Sequence, residues 1–107
     1  MKRGDIVVVA APGNYGKPRP ALVIQSDFFP THPSITLCLI TSDLRDAPLF
    51  RVAVQPTAAN GLQKPSQIMV DKILTVPREK LRLVIGTLDH RTMLEVTRAL
   101  ALWIGLS

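Results

Sequence analysis

The chain has 107 residues, of which 47% are apolar and 20% charged, proportions that exclude an intrinsically disordered protein. This length predicts one domain over residues 1–107. Lysine and arginine number 13 against 8 aspartate and glutamate, and the resulting net charge of +5 favours a polyanion or an acidic protein as partner.

Cysteine usage and hydropathy predict the compartment. Cys38 is the only cysteine, so the chain forms no internal disulfide, and we expect a reducing, cytoplasmic location. Its place in the apolar run ITLCLIT predicts a buried structural thiol. No apolar stretch approaches the roughly 18–20 residues that span a bilayer, so we expect no membrane insertion. The start, MKRGDIVVVAAPG, is interrupted by Asp5 and ends early at Pro12, so we interpret it as a first strand and not as a signal peptide.

Short β-branched runs, separated by Pro-rich and polar links, fill the first two thirds of the chain. They predict strands over residues 6–11, 21–25, 35–41, 50–55 and 67–70, the last of which continues, bent, through 73–76. Residues 77–81 are expected to form one helical turn, and residues 83–86 a last short strand. Strands this short at nearly regular spacing predict a small, strongly bent sheet or barrel.

The C-terminal segment changes to a helical period. Asp89 is a good N-cap, and Leu88 and Met93 are placed as a hydrophobic staple around it. The apolar residues that recur at helical spacing are Met93, Val96, Leu100, Trp103 and Ile104. Gly105 is expected to end the helix. The pattern predicts one amphipathic helix packed on the sheet or on another chain, with Trp103 as the candidate interface residue.

Candidate chemistry lies at the ends of the predicted strands. Arg19 precedes the second strand, Thr41 and Ser42 close the third, and Asp71 follows the fifth with Lys72 beside it. In a bent sheet these ends can converge. An arginine, a hydroxyl and a carboxylate suit phosphodiester chemistry, because a guanidinium binds phosphate oxygens and a carboxylate accepts the proton of a 2′-OH.

Structural alternatives exist for the same residues. Arg19 and Asp71 could instead form an ion pair that holds the mouth of the barrel. His32, in a loop after the second strand, fits a solvated turn residue as well as a ligand contact. Phe28 and Phe29 fit either base stacking or the core. The spacing of His, Cys and carboxylate residues predicts no metal site.

Four segments, read together, resemble the MazF/PemK family of toxins from bacterial toxin–antitoxin pairs. They are KRGDIVVV, GKPRPALVIQSD, ITLCLITSD and QIMVDKILTVPREKL, and their order and spacing extend over nearly the whole chain. The resemblance implies a small SH3-like, partly open β-barrel of the CcdB/PemK type, mainly β with a C-terminal α-helix. It also implies a homodimer that an acidic antitoxin neutralises.

The activity implied by the resemblance is sequence-specific, metal-independent and cofactor-free cleavage of single-stranded RNA, including mRNA. The products carry a 2′,3′-cyclic phosphate and a 5′-OH, and translation and growth stop. Arg19 and Thr41 match the family residues that act at the scissile phosphate, and Asp71 matches a carboxylate proposed as base. The residues expected to contact RNA beside them are Lys17, Tyr15, Ser42, His32 and Lys72.

Two features of the chain depart from the family pattern. Met69 stands where PemK-type members can carry an arginine, and the first loop, residues 12–18, holds no histidine. The identity of the proton donor is therefore open, with Lys17 and Lys72 as substitutes by charge only. The cleaved RNA sequence is not readable from the chain.

Two other functions stay open. The tail from Trp103 to Ser107 resembles that of CcdB, a gyrase poison of the same fold, as do VIQSDFF and LDHRTML. A binding poison without nuclease activity is thus one alternative, and a non-catalytic RNA-binding barrel is the other.

Overall fold

A computed structural model describes residues 1–10 and 17–106, apart from the side chain of residue 82. Within this part of the chain, six antiparallel strands form one sheet in the order β4-β5-β3-β2-β1-β6. The strands are β1 (Asp5–Ala10), β2 (Pro18–Val23), β3 (Ser34–Thr41), β4 (Arg51–Val54), β5 (Ser66–Pro77) and β6 (Leu81–Thr87). A 3-10 turn (Arg78–Lys80) joins β5 to β6, and the helix α1 (His90–Trp103) follows β6. The prediction of a mainly β chain with a C-terminal helix is confirmed.

The sheet curls because its two ends are tied together at two places. The 3-10 turn takes the chain directly from the end of β5 to β6, which lies at the other edge of the sheet. The loop between β4 and β5 also reaches β6, where the amide of Thr87 donates a 2.9 Å hydrogen bond to the main-chain oxygen of Ala59. These ties give the strongly bent sheet that the strand pattern predicts, in the form of the partly open barrel that the family resemblance implies.

Alternating apolar residues fill two cores, one on each face of the sheet. Within β1, Ile6 belongs to one core and Val7 to the other, as the two-residue period of a strand requires. The Val7 core also holds Val9, Ala21, Val23, Ile35, Leu37 and Val76. The Ile6 core lies under α1 and contains Val96 of that helix. Each fully buried aliphatic side chain contributes about 1.5–3 kcal/mol, so these cores supply most of the driving force for folding.

Helix α1 begins where the sequence predicts, but it is less buried than its apolar stripe suggests. The Asp89 carboxylate accepts a 2.9 Å hydrogen bond from the amide of Thr92, and Leu88 is buried beside it. The predicted stripe packs fully only at Val96, and Trp103 stays 51% exposed with its ring 5.7 Å from that of Phe50. Over the described residues, no helix has the length and apolar character needed to cross a membrane.

Several strand boundaries differ from the sequence-based prediction by a few residues, and two of these differences concern predicted site residues. β2 begins at Pro18, not at residue 21, because residues 18–20 pair with β1. The prolines are tolerated there because pairing with β3 starts only at Ala21, which leaves them a strand neighbour on one side alone. Asp71 does not follow the fifth strand but lies inside it. β5 carries a bulge there, in which one residue of β3, Leu39, faces the four residues 69–72 of β5.

The Lys-Arg-Gly-Asp start has a structural role in this fold. Gly4 adopts a φ of 95°, a conformation that favours glycine. The buried Asp5 carboxylate accepts hydrogen bonds from the amide of Lys2 at 2.9 Å and from the hydroxyl of Thr87 at 3.2 Å. These contacts hold the first turn of the chain against the end of β6.

Candidate active site

A cavity of about 530 Å³ opens at the end of the sheet where β2 begins and β3 ends. Val8, Ile40 and Ile85 form part of its apolar wall. The loop between β4 and β5 closes the opposite side. The polar residues of the lining are Lys17, Arg19, Ser42, Gln63, Lys64 and Ser66.

Arg19, the second residue of β2, is one of the residues that line this cavity. It lies opposite Val9 in the ladder with β1 and is half-buried between Pro18 and Pro20. Each proline fixes its own φ and restricts the residue before it, so the main chain that carries the guanidinium is held in an extended form. The sequence-based prediction that Arg19 and Ser42 lie together agrees with the lining of the cavity.

The described lining is cationic. Lys17, Arg19 and Lys64 contribute positive charge, and the described lining includes no carboxylate or imidazole. Cations gathered around a concave surface raise the local concentration of an anionic ligand. Lys64 and Gln63 were not singled out from the sequence, because they reach the cavity only through the packing of their loop on β6.

That loop approaches β6 closely at two glycines. A Cβ at Gly61 would collide with the main-chain oxygen of Ile85, and a Cβ at Gly86 would collide with the main chain of Asn60. Gly61 also has a φ of 70°. The Asn60-Gly61 pair is a turn signal in the sequence, but its contact with β6 has no local signature.

Thr41 is the last residue of β3 and is only 7% exposed. Its hydroxyl oxygen accepts a 3.0 Å hydrogen bond from the amide of Asp43. An oxygen that accepts in this way keeps its own hydrogen for a second partner. The β2–β3 ladder ends at the pair of Ala21 with Leu39, so Arg19 and Thr41 both lie beyond its last pair, at the end of the sheet where the cavity opens. Thr41 itself is not among the residues that line the cavity, whereas its neighbour Ser42 is.

Asp71 and Lys72 lie in the bulge of β5, outside the cavity lining. Within the described part of the chain, one oxygen of the Asp71 carboxylate is buried without a hydrogen-bond partner. The alternative in which Asp71 forms an ion pair with Arg19 is not observed; among the described residues, the one ion pair joins Arg45 to Asp43 at 3.2 Å.

Cys38 is the buried structural thiol that the sequence predicts. Burial raises the pKa of Cys38 to about 12, while the nearby Arg3 charge lowers this pKa and the Asp71 carboxylate raises it. A thiol with such a pKa is protonated at neutral pH and is a poor nucleophile.

Two of the predicted RNA contacts, His32 and Lys72, lie away from the cavity lined by Arg19. His32 lies before β3, at the other end of an eight-residue strand about 25 Å long, and its Nδ1 accepts a 3.0 Å hydrogen bond from the amide of Ser34. Phe28 and Phe29 are exposed beside it, so neither is a core residue. Tyr15 lies outside the described residues. His, Cys, Asp and Glu side chains of the described ranges form no group of three that fits a metal ion.

A family model described as "PemK-like, MazF-like toxin of type II toxin-antitoxin system" matches residues 2–104. The chain belongs to this family. The MazF/PemK resemblance of the sequence is thereby confirmed, and so is the expectation of an antitoxin as partner, since the family consists of toxins from such pairs.

Relatives of this family match in sequence and in fold. The chain is 44% identical over 108 aligned positions to a protein named "Probable endoribonuclease MazF" from Mycolicibacterium smegmatis, covering 100% of this chain and 99% of that one. It is 26% identical to the Mycobacterium tuberculosis toxin MazF-mt6, with a TM-score of 0.82 and coverage of 96% and 98%. A mycobacterial endoribonuclease solved with its cognate antitoxin shares the fold at a TM-score of 0.85, 22% identity and coverage of 100% and 97%.

Proposed function

We propose that the protein, an endoribonuclease toxin of the PemK and MazF type, cleaves single-stranded RNA at a phosphate held in the cavity beside Arg19. The observation that carries this proposal is the convergence of Lys17, Arg19 and Lys64 on one concave surface next to Ser42. The ligand that fits such a lining is a polyanion whose phosphates contact the cations and the hydroxyl group. Cleavage needs no metal ion or cofactor in this account, and it takes place in the cytoplasm, where mRNA is found.

The reaction is a transesterification within the RNA. The 2′-oxygen forms a bond to phosphorus while the bond from phosphorus to the 5′-oxygen breaks. The 2′-OH proton passes to a base, and the departing 5′-oxygen takes up a proton, so that the products end in a 2′,3′-cyclic phosphate and a 5′-OH. Negative charge grows on the phosphoryl oxygens in the transition state, where a fixed guanidinium such as that of Arg19 stabilises it.

The neighbouring residues complete the phosphate site. Thr41 keeps a hydroxyl hydrogen to donate, and Ser42 presents a hydroxyl at the cavity. Lys17 and Lys64 neutralise phosphates on either side of the scissile one. Three phosphate contacts to a single strand give an expected slope of about −2 for log K against log salt, at roughly 0.7 for each contact.

The proton transfers form a separate part of the proposal. Asp71 is assigned as the base that accepts the 2′-OH proton, on the family match of its position and on the buried, unpartnered carboxylate oxygen. Asp71 lies outside the cavity lining, so this assignment requires the ribose beside the scissile phosphate to extend to the bulge of β5, and Asp71→Asn tests it separately from Arg19. The proton donor to the 5′-oxygen is a cation of the cavity, for which Lys17 and Lys64 are the candidates.

The antitoxin is proposed to silence the protein by covering the cationic cavity. An acidic segment complements its charge, and a segment that orders on binding can wrap a large surface. The functional unit is proposed to be a homodimer, in which the half-exposed Trp103 is the candidate contact. Co-expression with the adjacent small reading frame should relieve growth arrest, and failure to do so would contradict this part.

The decisive assay incubates the purified protein with a long single-stranded RNA in EDTA and maps the new ends. We expect cuts at a short recurring sequence, with 5′-OH ends and 2′,3′-cyclic phosphates. Intact RNA would overturn the proposal. A parallel assay for trapped gyrase–DNA complexes distinguishes a CcdB-like poison, and RNA binding without cleavage identifies a non-catalytic barrel.

A further inference from the structure

The loop that follows Thr41 is held by side chains from three strands. Its main-chain groups at Asp43 and Arg45 accept or donate four hydrogen bonds between 2.8 and 3.0 Å. Thr41 of β3 binds the amide of Asp43, as described above. Loops at the end of a sheet more often leave such groups to water, so this degree of fixation requires a reason.

Gln67 of β5 is the centre of this arrangement. Its Oε1 accepts a 3.0 Å hydrogen bond from the amide of Arg45, and its Nε2 donates a 2.8 Å bond to the carbonyl of Arg45. One side-chain amide thus pairs with both main-chain groups of a residue, as a neighbouring strand would. In the sheet, Gln67 lies directly opposite Thr41 on one side and Ala53 on the other, so its side chain shares their face.

Arg51 of β4 supplies the remaining contact. Its Nη1 donates to the carbonyl of Asp43 at 2.8 Å and to Oε1 of Gln67 at 2.9 Å. A charged donor gives stronger hydrogen bonds than a neutral one, and Arg51 and Gln67 are both half-buried. The ion pair of Arg45 with Asp43 contributes little, because both side chains are about 70% exposed.

The loop held in this way leads directly into the proposed site. Ser42 lines the cavity, and it stands between Thr41 and the fixed amide of Asp43. We propose that Gln67 and Arg51 are positioning residues, which hold the loop after β3 so that the hydroxyls of Thr41 and Ser42 meet the RNA phosphate in one geometry. This inference rests on the proposed function. A displacement of about 1 Å at a reacting group costs about 10²-fold in rate, so turnover should be sensitive to both residues.

Single-turnover cleavage of one defined RNA, with the protein in excess, separates the maximal rate from the half-saturating concentration. Gln67→Leu removes all the side-chain hydrogen bonds of Gln67, and we expect a maximal rate about 10²-fold lower with half-saturation within about 2-fold. Gln67→Glu keeps the acceptor for Arg45 and Arg51 but not the donor, so we expect an intermediate rate. Arg51→Met should resemble Gln67→Leu, and Arg51→Lys should recover part of the rate.

Matched controls are available in the same chain. The side chain of Gln55 is exposed, and the hydrogen bond that Gln55 makes to Asn60 uses its main-chain oxygen. Arg98 is exposed on α1. Gln55→Leu and Arg98→Met should cut at the wild-type rate. All variants are compared below their melting temperatures, with folding checked by circular dichroism. Amide hydrogen exchange at Arg45 should accelerate in Gln67→Leu and stay unchanged in Gln55→Leu.

The outcomes separate this inference from the function on which it rests. A folded Gln67→Leu that cuts at the rate of Gln55→Leu overturns the positioning role while the nuclease stands. So does a raised half-saturating concentration at an unchanged maximal rate, since the loop would then bind RNA and not position a hydroxyl. A wild-type protein that leaves RNA intact overturns the proposed function and the positioning role together. In that case amide hydrogen exchange at Arg45 would show only whether Gln67 holds the loop.

Discussion

Replacement of Asn60 by alanine tests how the wall of the cavity is held. Asn60 is 3% exposed in the loop between β4 and β5. Its Oδ1 accepts hydrogen bonds of 3.0 Å from the amides of Thr57 and Leu62. Its Nδ2 donates a 2.8 Å hydrogen bond to the main-chain oxygen of Gln55. Alanine at this position leaves three main-chain groups without the partner that the side chain provides.

The expected cost follows from these three hydrogen bonds. At about 1 kcal/mol for each bond, Asn60→Ala should lower the free energy of unfolding by roughly 3 kcal/mol. In a domain of this size such a loss lowers the melting temperature by roughly 12–24 °C, at about 4–8 °C for each kcal/mol. Thr57→Ala is the matched control. It removes the one hydroxyl contact to the amide of Asn60, so about 1 kcal/mol is expected.

Urea unfolding followed by tryptophan fluorescence measures both variants, and single-turnover RNA cleavage is measured beside it. Because the loop carries Gln63 and Lys64 to the cavity, Asn60→Ala should also weaken cleavage where the protein is still folded. If Asn60→Ala loses no more stability than Thr57→Ala, the loop does not depend on the buried amide and the reasoning is refuted.

Three further predictions concern single residues. Trp103→Ala should lower the free energy of unfolding by roughly 1–2 kcal/mol in a thermal melt, because the half-exposed ring packs on Phe50. A fully buried tryptophan would cost about 3–5 kcal/mol. A larger loss of stability that varies with protein concentration would contradict this prediction and indicate a partner chain. The hydrogen bond from the amide of Thr92 lowers the pKa of Asp89. The extra stability of wild type over Asp89→Ala should therefore be complete above about pH 4 and should be lost as the pH falls through the lowered pKa. Thermal melts that show the same difference in stability between the two proteins at pH 2 and pH 7 would refute this prediction. If Asp71 is the base, Asp71→Asn should lower the cleavage rate at pH 7 by about 10²-fold or more without a comparable loss of stability, and an unchanged rate would remove Asp71 from the mechanism.

Local patterns predicted much of the fold. The short apolar run over residues 50–55 predicts β4, which the structure confirms over Arg51–Val54. The N-cap at Asp89 located the start of α1, because a capping carboxylate acts on amides only a few residues away. The turn between β5 and β6 was also predicted within one residue at its N-terminal end.

Errors arose where a neighbouring strand decides the outcome. The sequence predicts that β2 begins at residue 21, after Pro18 and Pro20, yet the strand includes both because they pair with β1. The sequence also places Asp71 at a strand end, yet the bulge opposite Leu39 lets β5 continue past it. No period within β5 reveals a bulge, since it depends on the register with another strand.

The candidate site was predictable in part for the same reason. Arg19, Lys17 and Ser42 lie at strand ends that meet in an antiparallel sheet, and the structure places them around one cavity. Lys64 reaches it through the contact of its loop with β6, and Gln67 acts on a loop 22 residues earlier in the chain. Contacts of this kind follow from tertiary packing and have no signal in one sequence.

The central claim is that Arg19 stabilises the charge that develops on the scissile phosphate. Its most direct test is single-turnover cleavage of a defined RNA in EDTA by wild type, Arg19→Ala and Arg19→Lys, with thermal melts of the same samples. We predict a rate about 10²- to 10³-fold lower for Arg19→Ala, a partial recovery for Arg19→Lys, which lacks the planar fork, and nearly unchanged melting temperatures. A folded Arg19→Ala protein that cuts RNA at the wild-type rate would contradict the claim.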